Sequence, residues 1–235
     1  MEMLGWLEPA RSVPVTRWRA PGRWSAAPSS LLILLAGLYA FGTGEALIVL
    51  GGLGVSPWTV LAQGLATLLP MSIGAATLLV SVVVLLVWIP LRERPGLGTV
   101  ANAVVIALAL QVGVSVLPVA EGVPMQLSFV LVGIALVGLG SGFYLTTNLG
   151  PGPRDGMMTG LHQRTGIPVG RVRMGIEVVV LGVGWLLGGT VGVGTVLFAL
   201  LIGPSVAQGL AIAGTLSGVA GAAPISEEEF PELDA

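Results

Sequence analysis

From Leu31 to Gly51 the chain carries one charged side chain, Glu45, and further long apolar segments follow at 72–91, 99–117, 126–147, 171–190 and 195–213. A segment of about 20 apolar residues is long enough to cross a bilayer as a helix, and a chain built of such segments has no polar surface to offer water. Composition agrees. Charged residues make up 9% of the chain, where a soluble domain carries about 25%. The expected class is an all-α, polytopic membrane protein.

All ten basic residues are arginines, set against twelve acids for a net charge of −2. No broad basic surface exists, so nucleic acid is excluded as a partner. The chain has no cysteine and a single histidine, His162. Disulfides, thiolate chemistry and multi-histidine metal sites are therefore excluded, and neither a metal nor a cofactor is implied. Gly140-Ser141-Gly142 offers a serine, but no histidine or aspartate is placed to activate it, so an enzyme is not expected. The first apolar run is long for a signal peptide and lacks a following A-x-A site, which makes it a retained span.

The chain repeats itself at an offset of 96 residues without a gap. Nine glycine pairs fall at that offset, among them Gly37/Gly133, Gly44/Gly140, Gly54/Gly150 and Gly98/Gly194, joined by Pro57/Pro153 and Thr99/Thr195. Chance would give roughly one or two such pairs in so glycine-rich a chain. Two membrane repeats, 30–118 and 126–214, follow, flanked by an Arg/Pro-rich tail (1–29) and an acidic tail (215–235). Each repeat holds three long segments and one short one, 57–69 or 153–165, opened by a proline. Thirteen helical residues reach about 20 Å, against about 30 Å of hydrocarbon, so the short segments do not span. In each Gly-x-Gly-Thr turn, Thr99 or Thr195 is expected to cap the helix that follows.

Three spans per repeat make six in all, and an odd number turns the second repeat upside down. With both termini cytoplasmic, Arg11, Arg17, Arg19, Arg23, Arg92, Arg94, Arg154, Arg164, Arg171 and Arg173 all fall inside. An eight-span arrangement would send Arg92 and Arg94 outside. The acidic tail, with Glu227, Glu228, Glu229, Glu232 and Asp234, is then a solvated cytoplasmic end.

An ionisable group inside a span costs several kcal/mol unless it is paired or faces water. Glu45 in the first span is thus a cavity-facing candidate or a buried hydrogen-bonding group. Glu177 in the fifth is either a second candidate or half of a structural ion pair with Arg173, one turn away. The segment Asn148-Leu-Gly-Pro-Gly-Pro-Arg-Asp-Gly opens a helix whose free N–H groups, with Arg154, Arg171 and Arg173, would draw anions. Asp155 offsets Arg154 there, and topology alone accounts for Arg164. Asp155, Thr159 and His162 share one helix face; by the 96-residue offset they match Thr59, Gln63 and Ala66. Candidate solute- or ion-binding residues are Glu45, Gln63, Asn148, Arg154, Asp155, Arg171, Arg173 and Glu177. Asn102 and Gln111, like the Gly138/Gly142 and Gly184/Gly188 pairs, fit helix packing better.

The second repeat, from Gly150-Pro-Gly-Pro-Arg-Asp-Gly through Arg171-Val-Arg, Ile176-Glu177 and Gly188-Gly-Thr-Val-Gly-Val-Gly-Thr to Ile202-Gly-Pro, resembles the YczE/YitT group of bacterial integral membrane proteins. The first repeat carries a weaker likeness in Gly54-Val-Ser-Pro-Trp and Gly96-Leu-Gly-Thr. The resemblance implies a multi-pass protein of the bacterial cytoplasmic membrane and leaves activity open.

Inverted repeats with a short Gly/Pro-interrupted helix at matching positions point to a transporter whose site lies between the repeats. A small solute or ion, anions included, would be the partner besides the lipid bilayer. The competing expectation is a scaffold or accessory subunit that packs with partner membrane proteins. A homo-oligomer is compatible with both.

Overall fold

In a computed structural model of the chain, residues 13–218 are described, and they fold into eight helices with no strand among them. The helices are α1 (Pro28–Gly51), α2 (Pro57–Leu68), α3 (Ile73–Leu91), α4 (Leu97–Val116), α5 (Val123–Leu145), α6 (Pro153–Thr165), α7 (Val169–Leu186) and α8 (Val193–Ser217). Arg11 and the acids from Glu227 to Asp234 lie outside the described residues.

Local chemistry sets the ends. Proline occupies the first turn of α1, α2, α5 and α6, where its missing N–H costs nothing. Ser72 caps α3 by accepting from the Ala75 amide at 3.3 Å. Thr99 and Thr195 cap differently from the expectation. Each stands in the first turn instead of at the cap, and its Oγ1 reaches back to accept from the Gly96 or Gly192 amide, at 3.1 and 3.2 Å. Glycine at the cap lets other backbone come close. Helix α8 runs on to Ser217 through Pro204, four residues past the expected end.

Five helices are long and apolar enough to cross a membrane: α1, α3, α4, α5 and α8. The chain is a polytopic helical membrane protein. Helix α7 has 18 residues but carries Arg171, Arg173 and Glu177, and this charge separates it from the other five.

Contacts recur at the 96-residue offset. Helix α1 packs on α4 as α5 packs on α8; α2 packs on α7 as α3 packs on α6; and α1 packs on its own counterpart, α5. The match reaches single hydrogen bonds. The Gly98 amide donates to the Leu149 carbonyl at 2.7 Å, and the Gly194 amide to Leu53 at 2.7 Å. Leu53 and Leu149 precede Gly54 and Gly150, whose φ values of +102° and +108° suit glycine and strain other residues. At the α1/α5 crossing a methyl on Gly44 would fall 2.6 Å from the Gly133 carbonyl oxygen, and one on Gly133 would fall 2.6 Å from that of Gly44. Only glycines allow backbones this near, and close backbone packing is what joins helices in lipid.

Residues 13–27 pack against the bundle. Thr16 and Ala20 are buried, the Ala20 amide donates to Thr147 at 2.9 Å, and the Leu97 amide donates to Arg23 at 2.9 Å. Trp18 Nε1 donates to Thr146 Oγ1 at 3.0 Å, and its ring lies against Phe143. Arg17 reaches the Gly218 carbonyl at the end of α8. This strap ties α4, α5 and α8 together at one end of the molecule.

Candidate functional site

A cavity of about 180 Å³ opens where α1, α2, α4, α5, α6, α7 and α8 approach one another. Its walls are built from residues matched by the repeat: Phe41 with Val137, Glu45 with Ser141, Ser56 with Gly152, Trp58 with Arg154, Asn102 with Phe198, and Ile106 with Ile202. The cavity therefore sits between the two halves of the fold. The halves give it the same framework and different chemistry.

Helix α1 carries Glu45 inward, 2% exposed. Its carboxylate accepts from Ser56 Oγ at 2.9 and 3.0 Å and from Thr59 Oγ1 at 2.8 Å. Both hydroxyls belong to the start of α2, so Glu45 lies at that helix's N-terminal end, where a negative charge is favoured. The start of α6 faces it from the other half. Its backbone is fixed there by Trp88 Nε1, which donates to the Pro153 carbonyl at 2.9 Å, and by Thr99 Oγ1, which donates to Pro151 at 2.8 Å.

Arg154 and Trp58 are repeat counterparts, and they touch. The guanidinium carbon lies 4.9 Å from the centre of the Trp58 ring, within cation–π range. The acids within electrostatic reach of Arg154 are Glu45, Asp155 and Glu177. Tyr144 donates its hydroxyl to Asp155 Oδ2 at 2.5 Å. Arg173 Nε meets Glu177 Oε1 at 3.0 Å, one turn apart on α7.

Five of the eight candidates read from the sequence converge here: Glu45, Arg154, Asp155, Arg173 and Glu177. The other three lie elsewhere. Arg171 is exposed on α7 outside the cavity wall. Gln63 accepts the Thr190 amide at 3.0 Å and so ties α2 to the turn after α7. Asn148 stands at φ +59° and donates to the Ala20 carbonyl at 2.9 Å, holding the strap. His162 closes the end of α6 through Nδ1 and the Ile167 carbonyl, 2.7 Å apart. Gln111 serves packing, accepting the Gly74 amide at 3.1 Å, whereas Asn102, expected to do the same, lines the cavity. Ser141 donates to Val137 within its own helix at 2.7 Å.

Trp58 and Tyr144 were not among the sequence candidates. Aromatic residues in an apolar chain read as core, and both are indeed buried. The offset held a signal nevertheless, because Trp58 is the counterpart of Arg154.

The sequence profile of the DUF6198 family, a family of unknown function, matches residues 28–209, which include every residue that lines the cavity. The chain belongs to this family. A Haemophilus influenzae relative described as an uncharacterized protein is 47% identical over 193 residues, covering 82% of this chain and 88% of its own. The uncharacterized membrane protein YczE of Bacillus subtilis is 30% identical over 182 residues, covering 77% of this chain and 82% of its own. The YczE likeness read from the second repeat thus holds across most of the chain. No solved structure matches it.

Proposed function

We propose that this DUF6198 member is a transporter of a small solute in the bacterial cytoplasmic membrane, working by alternating access between two inverted three-helix repeats. The observation that carries this reading is the cavity between matched halves, with buried charge where the two short helices begin. Discontinuous helices meeting at a repeat interface are how secondary transporters build a site near mid-membrane. Charge kept inside a membrane fold at a cost of several kcal/mol calls for a functional reason.

In this reading α7 is the sixth span. Its 18 residues rise about 27 Å. Arg171 and Arg173 lie in its first turns, where long side chains reach the interface, and Glu177, paired with Arg173, is the one charge in the rest of the helix. The loops before α2 and α6 then dip in from opposite faces, and both termini are cytoplasmic. Rocking of one repeat against the other would open the cavity to each side in turn. The 180 Å³ volume suits a small solute, well below the roughly 300–1,000 Å³ of sites for larger ligands.

The test is a solute screen on proteoliposomes, read by solid-supported-membrane currents and by uptake of labelled solute. At least one solute should give a saturable response that is absent from protein-free liposomes and kept in Gly175→Ala, a substitution into open space. A stoichiometric membrane partner, with no response to any solute, would favour the scaffold instead.

A further inference from the structure

Among the described residues, every carboxylate at the cavity has a donor, while one of its two guanidinium groups has no acceptor. Ser56 and Thr59 serve Glu45, Tyr144 serves Asp155, and Arg173 serves Glu177. Arg154 is held by the face of Trp58, and no described residue accepts a hydrogen bond from it. A guanidinium presents five N–H donors in a planar fork that fits an oxyanion in bidentate fashion. The cavity is thus short of an acceptor, and the group that would supply one is a bound ligand.

Resting on the transporter reading, we propose that the cavity binds a small oxyanion, carboxylate in type, on Arg154, and that Glu45 takes up one proton as the anion binds. The charge balance requires the second half of the statement. Two arginines and three acids leave the ionised cavity at −1. A singly charged anion, as a carboxylate is, would double that in a low-dielectric site, where like charges repel far more than in water, and a dianion would triple it. One proton restores the original charge, so a filled cavity carries the same net charge as an empty one.

Among the three acids Glu45 suits the proton best. Asp155 is exposed and Glu177 is in an ion pair. Glu45 is buried, and its hydrogen-bond partners are hydroxyls, which donate to a carboxylate and accept from a carboxylic acid by rotating in place. The polar and charged groups facing it are Ser56 and Thr59 at the start of α2, Arg154 and Asp155 from α6, Ser141 and Tyr144 from α5, Arg173 and Glu177 from α7, and Asn102 from α4. Helix α8 lines the cavity with apolar residues only. Of these groups only Arg154 is a cation that an anion could engage without breaking an existing ion pair. An anion on Arg154 withdraws the positive charge that favours ionised Glu45, so the two events are coupled and reciprocal.

The experiment uses the full chain in detergent, with acetate, lactate, sulfate and phosphate as probes and choline as the cationic counterpart. Thermal shift, binding isotherms and proton uptake in weak buffer are the readouts. At least one oxyanion should raise the melting temperature, with affinity falling by up to roughly tenfold per pH unit as pH rises and with up to one proton taken up per anion. A response to acetate or lactate alone assigns the site to carboxylates, and a response to sulfate or phosphate alone overturns that assignment in favour of inorganic oxyanions. Arg154→Gln should abolish the shift and Arg154→Lys should weaken binding at least tenfold, each judged against its own ligand-free melting temperature. Glu45→Gln should bind without proton uptake. No response to any oxyanion, a response to choline, or an unchanged response in Arg154→Gln would overturn the site; binding with no proton uptake in the wild type would overturn the coupling. An Arg154-dependent shift without flux would sink the transporter reading and leave the oxyanion site standing, whereas flux that survives Arg154→Gln would do the reverse.

Discussion

Glu45 shows how a membrane protein keeps a carboxylate away from water: both oxygens are occupied, and the hydroxyls that occupy them come from a different helix. Glu45→Gln keeps the shape and leaves Ser56 and Thr59 with an acceptor, so its melting temperature in detergent should stay close to wild type. Glu45→Ala removes the acceptor for two buried hydroxyls. A buried polar group without its partner costs about 1–3 kcal/mol, so this variant should melt clearly lower than Glu45→Gln. Equal melting for the two would mean that the hydroxyls do not depend on Glu45. At Trp58 the cation–π contact is worth about 0.5–2 kcal/mol. Trp58→Leu should therefore melt lower than Trp58→Phe, which keeps an aromatic face for Arg154. The acids of this cluster were legible in the sequence because an ionisable residue in an apolar segment demands an explanation. The hydroxyls and aromatics around them carry no such demand, since serine, threonine and tryptophan are ordinary in membrane helices.

Elements were legible where sequence punctuates them. The prolines that open α2 and α6 mark where those helices begin to the residue, although α2 ends at Leu68, one residue short of the expected 69. The strap was not legible: residues 13–27 contain neither an apolar period nor a helix, and what holds them is backbone pairing with Thr147 and Leu97 and a bond from the Arg23 guanidinium to the Arg94 carbonyl, long-range bonds that composition does not announce. Asn148 looked like part of a ligand site for a related reason, because a polar loop residue reads the same whether it faces solute or the strap's backbone. The glycines test the element scale. Gly54→Ala forces a left-handed backbone on a residue with a Cβ, at about 1–2 kcal/mol, and also crowds the Gly192 backbone, so it should destabilise or prevent insertion. Gly175→Ala, inside α7 with nothing near it, should be neutral or stabilising by up to about 1 kcal/mol through helix propensity. Comparable losses for both would show that glycine acts here through general flexibility and not through close approach. The strap makes its own claim: Trp18→Ala removes a hydrogen bond to Thr146 and the packing on Phe143, and proteolysis between residues 13 and 27 should become faster without loss of the membrane core.

For the whole molecule, the 96-residue offset turns a list of helices into an arrangement, because most helix contacts come in matched pairs, the packing of α3 on α4 being an exception. The offset could not say which contacts those would be. That the two short helices begin at one cavity, with Trp58 against Arg154, depends on how the halves dock through α1 and α5, and the docking rests on glycines whose spacing alone does not choose a partner. If the halves are inverted, α2 and α6 run from the cavity toward opposite faces of the membrane, and their far ends emerge on opposite sides. The chain has no cysteine, and Leu68, at the end of α2, and Arg164, near the end of α6, are both exposed, so single cysteines there report directly. Leu68→Cys in intact cells should react with a membrane-impermeant maleimide. Arg164→Cys should react only after the membrane is opened, in keeping with arginines on the cytoplasmic side. Labelling of both positions from one side would mean that an even number of spans separates them, with a short helix crossing or one of α3, α4 and α5 not crossing. The repeats would then be parallel in the membrane, and rocking of inverted halves would have no basis.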